Sequence, residues 1–220
     1  MGQAKQRGTR EERIALALDR QKREATDLNA VPGPISPVEF LQFRAGLDRL
    51  WANLTTPTKI NDQVSQFSRS LSSKEPLFLD CQPELWSRQS CCDINVEKYI
   101  ERHDGRALCG YRIWYNGPIY IEGERHVVWT DGDKTRDVSF VDTGETRILF
   151  VPDELGFLEA PGKVRFAFND DDKALLDQFE AMERAVPMMK ASAHQAWETM
   201  PTYEQWLSGK RMPNIISGFM

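Results

Sequence analysis

The sequence predicts an α+β protein, a small twisted antiparallel sheet of roughly four to five strands flanked by helices. Three observations carry this prediction. Capped, helix-period segments dominate up to about residue 100; the period shifts toward two between Arg106 and Phe150; and the helical period returns after Asp170.

Residues 1–25 read as a charged helix with a thin apolar stripe of Ile14, Ala17 and Leu18. "NAVPGPIS", residues 29–36, reads as a Pro/Gly linker. Ser36-Pro37-Val38-Glu39 then joins an N-cap, a proline at the first helical position and a capping-box acid. The helix beginning there gathers Phe40, Phe43, Leu47, Leu50 and Trp51 on one broad apolar face. A second helical stretch, near residues 60–71, ends in the polar loop "SLSSKEP". In "SCCDINVEKYI", residues 90–100, Ser90 as N-cap with Asp93 three residues on places Cys91 and Cys92 at the first two helical positions.

Four β-rich segments come next, "RALCGYRIWY", "IYIEGERHVVW", "TRDVSF" and "ETRILFV", separated by "NGP", "DGDK" and "DTG" in the manner of an antiparallel meander. "KVRFAF", residues 163–168, is a candidate fifth strand. Beyond Asp170-Asp171-Asp172 the residues Leu175, Leu176, Phe179, Met182 and Val186 share a helical face, and Pro187 and Pro201 interrupt the C-terminal stretch. The chain thus divides into a charged helix and linker (1–35), an α+β core domain (36–170) and a helical extension packed on it (171–220).

Lys+Arg of 28 against Asp+Glu of 33 leaves a net charge of −5, which argues against a dedicated nucleic-acid binder. The first 25 residues run the other way, with seven basic residues against four acidic, as a solvated mixed-charge helix does. No apolar run reaches the roughly 18–20 residues of a membrane span, and no apolar signal core follows the N-terminal charges. Gln6 stands where a myristoylation site needs Ser or Thr. A cytoplasmic protein is expected. Cys81, Cys91, Cys92 and Cys109 are irregularly spaced and read as reduced thiols.

One combination of residues points to chemistry. A thiol at a helix N-terminus gains from the unpaired N–H groups and the helix dipole, although Asp93 opposes this. Cys92 shares a face with Val96 and Tyr99 and so points into the protein; Cys91 points about 100° away. His126 is central in its strand, with "DGDK" just beyond. A two-residue Asp131-Gly132 loop sets it directly opposite Asp137; a four-residue loop makes the pair diagonal on the same face; a three-residue loop separates their faces. In the first two registers Asp137 can orient the imidazole and leave its other nitrogen to Cys92. His103, at a helix C-terminus, and His194, in a polar helix, suggest no such role.

Helix Cys, then strand His, then Asp on the next strand is the order of papain-like and transglutaminase-like folds. More locally, Cys92-Asp93-Ile94-Asn95-Val96, "GERHVVW" and "RDVSF…ETRILFVPD" resemble a family of small, largely uncharacterised bacterial and phage proteins. Its pattern runs Cys-His-x-Asn-Val, Glu-x-x-His-x-Val-Trp, Asp-Val-Thr and Arg-x-Leu-Phe-x-Pro-Asp. The opening "MGQAKQRGTREER" is similar to N-termini of such proteins. The resemblance makes Cys92, Asn95, His126 and Asp137 the shared polar positions, with Asp93 where the family has His and Ser139 where it has Thr.

The chemistry these residues imply is acyl transfer by a cysteine hydrolase, deamidase or peptidase. Cys92 attacks a carbonyl, His126 moves the proton and Asp137 holds the ring. Substrate or oxyanion candidates are Gln89, Gln82, Asn95, Trp114 and Trp129. A zinc site of Cys81, Cys92, Cys109 and His126 lacks ligand spacing; no Gly-rich phosphate motif occurs, and "DGDK" lacks the later ligands of a calcium loop. No metal or cofactor is expected. The alternative is a non-catalytic binding module on a degenerate version of the scaffold, offering Met182, Met188, Met189 and Trp197 to a partner. The expected partner is a protein or peptide substrate, or a host protein; the oligomeric state stays open.

Overall fold

The computed structural model describes residues 36–185 and 193–211. The helix and linker expected over 1–35, with Val186, Pro187, Met188 and Met189, lie outside the described residues. In chain order the elements are α1 (Pro37–Trp51), α2 (Asp62–Leu71), β1 (Leu77–Asp80), α3 (Cys92–Ile100), β2 (Arg106–Asn116), β3 (Tyr120–Thr130), β4 (Thr135–Arg136), β5 (Arg147–Pro152), β6 (Lys163–Ala167), α4 (Asp170–Ala185), α5 (Ala193–Thr199) and α6 (Tyr203–Leu207).

Helix α1 begins at the expected capping box, with Ser36 and Glu39 bonding each other's backbone N–H and Pro37 at the first turn. Phe43, Leu47 and Leu50 are buried against Tyr120, Ala167 and Leu176, with Trp51, Leu175, Phe179 and Met182 beside them. Phe40 leaves the predicted face and is 44% exposed. Asn61 caps α2 by accepting the Val64 N–H at 2.9 Å, and Val64 and Phe67 pack on Tyr111, Ile113, Ile121, Leu149 and Val151. Burying each such side chain contributes about 1.5–3 kcal/mol.

Among the described residues the sheet has six strands rather than four or five, in the order β1-β5-β2-β3, with β4 and β6 both on the far side of β3 and every strand pairing antiparallel. The added strand is β1, four residues paired with β5. The expected meander is also corrected, because β5 returns to pair with β2 and not with β4. Of "TRDVSF" only Thr135 and Arg136 pair with β3, after which Asp137 makes an isolated parallel bridge with Cys81. The β3–β4 loop has four residues, since Thr130 pairs with Thr135. Asp131 causes this: its Oδ1 accepts the N–H groups of Asp133 at 3.0 Å and Lys134 at 2.7 Å, while Gly132 takes φ +104°.

Two features of β3 position the site. Its residues 120–124 pair with β6 and its residues 129–130 with β4, so no strand among the described residues pairs with 125–128 on that edge. In addition, the β2–β3 register sets Gly110 opposite His126, Arg112 opposite Glu124 and Trp114 opposite Glu122. Polar residues therefore line one face there, while Cys109, Tyr111, Ile113 and Val127 alternate onto the other. Helix α3 covers part of that second face, burying Val96 and Tyr99 against Val127, Trp129 and Val138. Gly110 lies close to β5, where an added Cβ would come within 2.2 Å of the Val151 carbonyl oxygen and 2.7 Å of Phe150, whose ring packs edge-on to His126.

Candidate functional site

Helix α3 starts one residue later than expected. Cys91 is its N-cap residue and Cys92 its first helical residue; no side chain among the described residues caps the terminus, and Ser90 instead adopts the left-handed φ of +56°. The turn is held from within by Asn95, whose Oδ1 accepts the Arg88 N–H at 2.7 Å and whose Nδ2 donates to the Arg88 carbonyl at 2.8 Å and to Ser139 Oγ at 3.2 Å. The first-turn N–H groups, which intrahelical bonds cannot satisfy, thus remain without a side-chain cap at Cys92.

The four-residue loop keeps His126 and Asp137 together, as the diagonal register requires. His126 Nε2 lies 3.1 Å from Asp137 Oδ2, a close ion pair bent away from hydrogen-bond geometry. Burial disfavours a charged imidazole here. The Asp137 carboxylate, and after it the thiolate of Cys92, outweigh burial and raise the histidine well above its ordinary value. Asp137 Oδ1 also accepts the Ser139 N–H at 2.9 Å, and Cys81 Sγ approaches Oδ2 at 3.8 Å. Burial pushes the Cys91 thiol up to about 11, and likewise raises Cys81 and Cys109. These three are held as thiols at neutral pH.

Cys92 and His126 open on one cleft of about 460 Å³, whose lining includes Gln89, Ser139, Trp51, Trp114, Arg112 and Glu124. Of the proposed substrate or oxyanion residues, Gln89 and Trp114 lie in this cleft. Gln89 Oε1 is buried without a hydrogen-bond partner among the described residues, and Trp114 Nε1 donates to Glu124 Oε2 at 3.0 Å. The other three do not line it. Gln82 is exposed, its backbone joining Asp137 and Arg136. Asn95 is fully occupied by the turn before Cys92, and Trp129 packs edge-on against Tyr99 with its Nε1 on the Asp104 carbonyl at 2.9 Å.

The sequence reading missed the charged floor. Arg112 pairs with Glu124 through Nη2 and lies over the Trp114 ring at 4.6 Å. Glu122 is buried, accepting from Tyr120 Oη at 2.7 Å, Lys163 Nζ at 2.7 Å and Arg165 Nε at 3.2 Å. Burial would raise Glu124, yet Arg112 and Lys163 bring it down to about 2. The signal was available: extending the "NGP" hairpin pairs Arg112 with Glu124 and leaves 112, 114, 122, 124 and 126 on one face.

Among the described residues no group of three or more His, Cys, Asp or Glu side chains could hold a metal ion, and no helix is long and apolar enough to cross a membrane. Compared with protein-family models, with curated proteins and with solved structures, the chain matches none.

Proposed function

We propose that the chain is a cysteine-dependent acyl-transfer enzyme, an amide or ester hydrolase, deamidase or peptidase of bacterial or phage origin with a papain-like or transglutaminase-like order of elements. One observation carries this reading: His126 is paired with the buried Asp137 and shares a cleft with Cys92, which stands at an uncapped helix N-terminus. The Cys92 thiolate attacks the carbonyl carbon, forming the S–C bond and moving the π electrons onto oxygen. The first-turn N–H groups of α3 receive that oxyanion, with the Gln89 amide as the side-chain donor when its NH2 is turned into the cleft. As the intermediate collapses, His126 gives its proton to the leaving amine or alcohol. It then takes one from the water that hydrolyses the thioester, whose collapse releases the acid and returns Cys92 as the thiolate beside the protonated ring.

The reading is tested with iodoacetamide at neutral pH and peptide mass mapping after brief exposure. Cys92 should be alkylated much faster than Cys81, Cys91 or Cys109, and His126→Ala should slow it. Uniformly slow labelling, indifferent to His126→Ala, favours the second reading, a binding module. What favours that one is the exposed apolar group Val38, Phe40 and Leu41 on α1.

A further inference from the structure

Arg112 brings a cation with an unused donor to the candidate nucleophile. Its Nη2 is taken by Glu124, its guanidinium lies on the Trp114 ring, and its Nε is buried with no partner among the described residues. The carboxylates nearby are already engaged. Glu124 accepts from Arg112 and Trp114, and Glu122 from Tyr120, Lys163 and Arg165. Arg112 and Cys92 line the same cleft, so the guanidinium and the reacting sulfur face one ligand space. A buried N–H of a charged group that finds no acceptor in its own protein is costly unless a ligand supplies one.

Resting on the reading of Cys92 as nucleophile, we propose that Arg112 is the specificity residue of the cleft and anchors a carboxylate, so that the preferred acyl substrates carry a carboxylate close to the carbonyl attacked. A carboxylate suits this donor better than a neutral oxygen does, because a bond between two charged groups is about twice as strong as a neutral one. Lys163, bonded to Glu122 at 2.7 Å and 44% exposed, adds a second cation to the lining. Trp51, Leu54 and Trp114 supply apolar surface for the rest of the molecule.

Two alkylating reagents test this without a known substrate. Iodoacetate and iodoacetamide present the same carbon and the same iodide leaving group, and differ in a carboxylate against a carboxamide. The ratio of their rates at Cys92 is measured in the full chain, in Arg112→Lys, in Arg112→Gln and in Arg112→Gln/Glu124→Gln. The double variant leaves no buried charge unpaired if the single one fails to fold. We expect the iodoacetate-to-iodoacetamide ratio to fall about tenfold on loss of the guanidinium, and less with lysine. A ratio unchanged within about twofold, with Cys92 still selectively labelled, overturns the anchor and leaves the nucleophile standing. Slow labelling of Cys92 by both reagents in the unmodified chain overturns both.

Discussion

His126 Nε2 and Asp137 Oδ2 are 3.1 Å apart with side chains only 3% and 1% exposed, so two ionisable groups are buried against each other at the edge of the cleft. Neither is tolerable alone: a buried unpaired charge costs several kcal/mol, and removing one partner of such a pair about 3–5 kcal/mol. We predict that Asp137→Asn and His126→Ala each destabilise the fold by that order in urea unfolding. In a double-mutant cycle the two losses should fall well short of adding. Full additivity would mean that the two groups do not interact.

The same pair makes stability depend on pH. Because His126 is raised in the folded state, its contribution is fully present below its unfolded value near 6.5 and is lost as pH rises through about 10. Glu124 works at the other end. Lowered to about 2, it contributes above its unfolded value near 4.3 and loses that contribution as pH falls through about 2. Urea midpoints measured from pH 2 to 10 should decline on both sides. Asp137→Asn should flatten the alkaline limb and leave the acid limb in place.

Asn95 was a candidate for substrate contact, and its bonds assign it to the backbone instead. It closes a ring with both polar groups of Arg88 and reaches Ser139, which also donates its N–H to Asp137. Asn95→Ala should therefore cost about 2–4 kcal/mol, from three buried bonds lost together. Asn95→Asp, which keeps the acceptor for Arg88 N–H but lacks the donor, should also be destabilised. If either variant instead kept full stability while losing binding of a ligand, the residue would belong to the cleft.

What the sequence revealed of this site depended on how local the determinants were. Capping at Ser36 and the strand cores of β2 and β3 follow from short-range chemistry and stand where expected. The Asp131-Gly132 turn signal was sound, but Asp131 captures two N–H groups with its own carboxylate and widens the loop, moving Asp137 from the directly paired to the diagonal position. Ser90 has the composition of an N-cap; the Asn95 clamp on Arg88 fixes the chain so that Cys91 takes that place. Strand β1 is four residues long and gains its partner only through the return of β5, a pairing that local pattern does not encode. Arg112 and Glu124 were within reach of the register, yet alternating charge on a strand ordinarily means a solvated face.

Residues 200–207 join two separate stretches of the cleft lining from outside it. Gln89 N–H donates to the Pro201 carbonyl at 3.1 Å, Tyr203 N–H to the Ser87 carbonyl at 2.8 Å and Glu204 N–H to the Leu85 carbonyl at 3.1 Å, while Arg88 Nη1 donates to the Met200 carbonyl at 2.7 Å. The segment therefore holds the stretch that leads into Cys92. At the second stretch, the Tyr203 and Trp206 rings pack against Phe140 at 5.1 and 5.7 Å, and Trp206 Nε1 donates to Asp142 Oδ1 at 3.2 Å. Both Gln89 and Phe140–Asp142 line the cleft. Trp206→Ala removes the ring contacts and the Asp142 bond while leaving the backbone pairing with residues 85–89 intact, and should cost about 1–2 kcal/mol. Amide hydrogen exchange should then quicken in peptides covering 138–144 more than in those covering 85–90. Ending the chain after Thr199 should release both stretches and slow iodoacetamide labelling of Cys92, because the thiol loses its fixed approach to His126. Unchanged exchange in both stretches after truncation would mean that the cleft holds its shape without this segment, and that its bonds to residues 85–89 and 140–142 only dock the C-terminal helices.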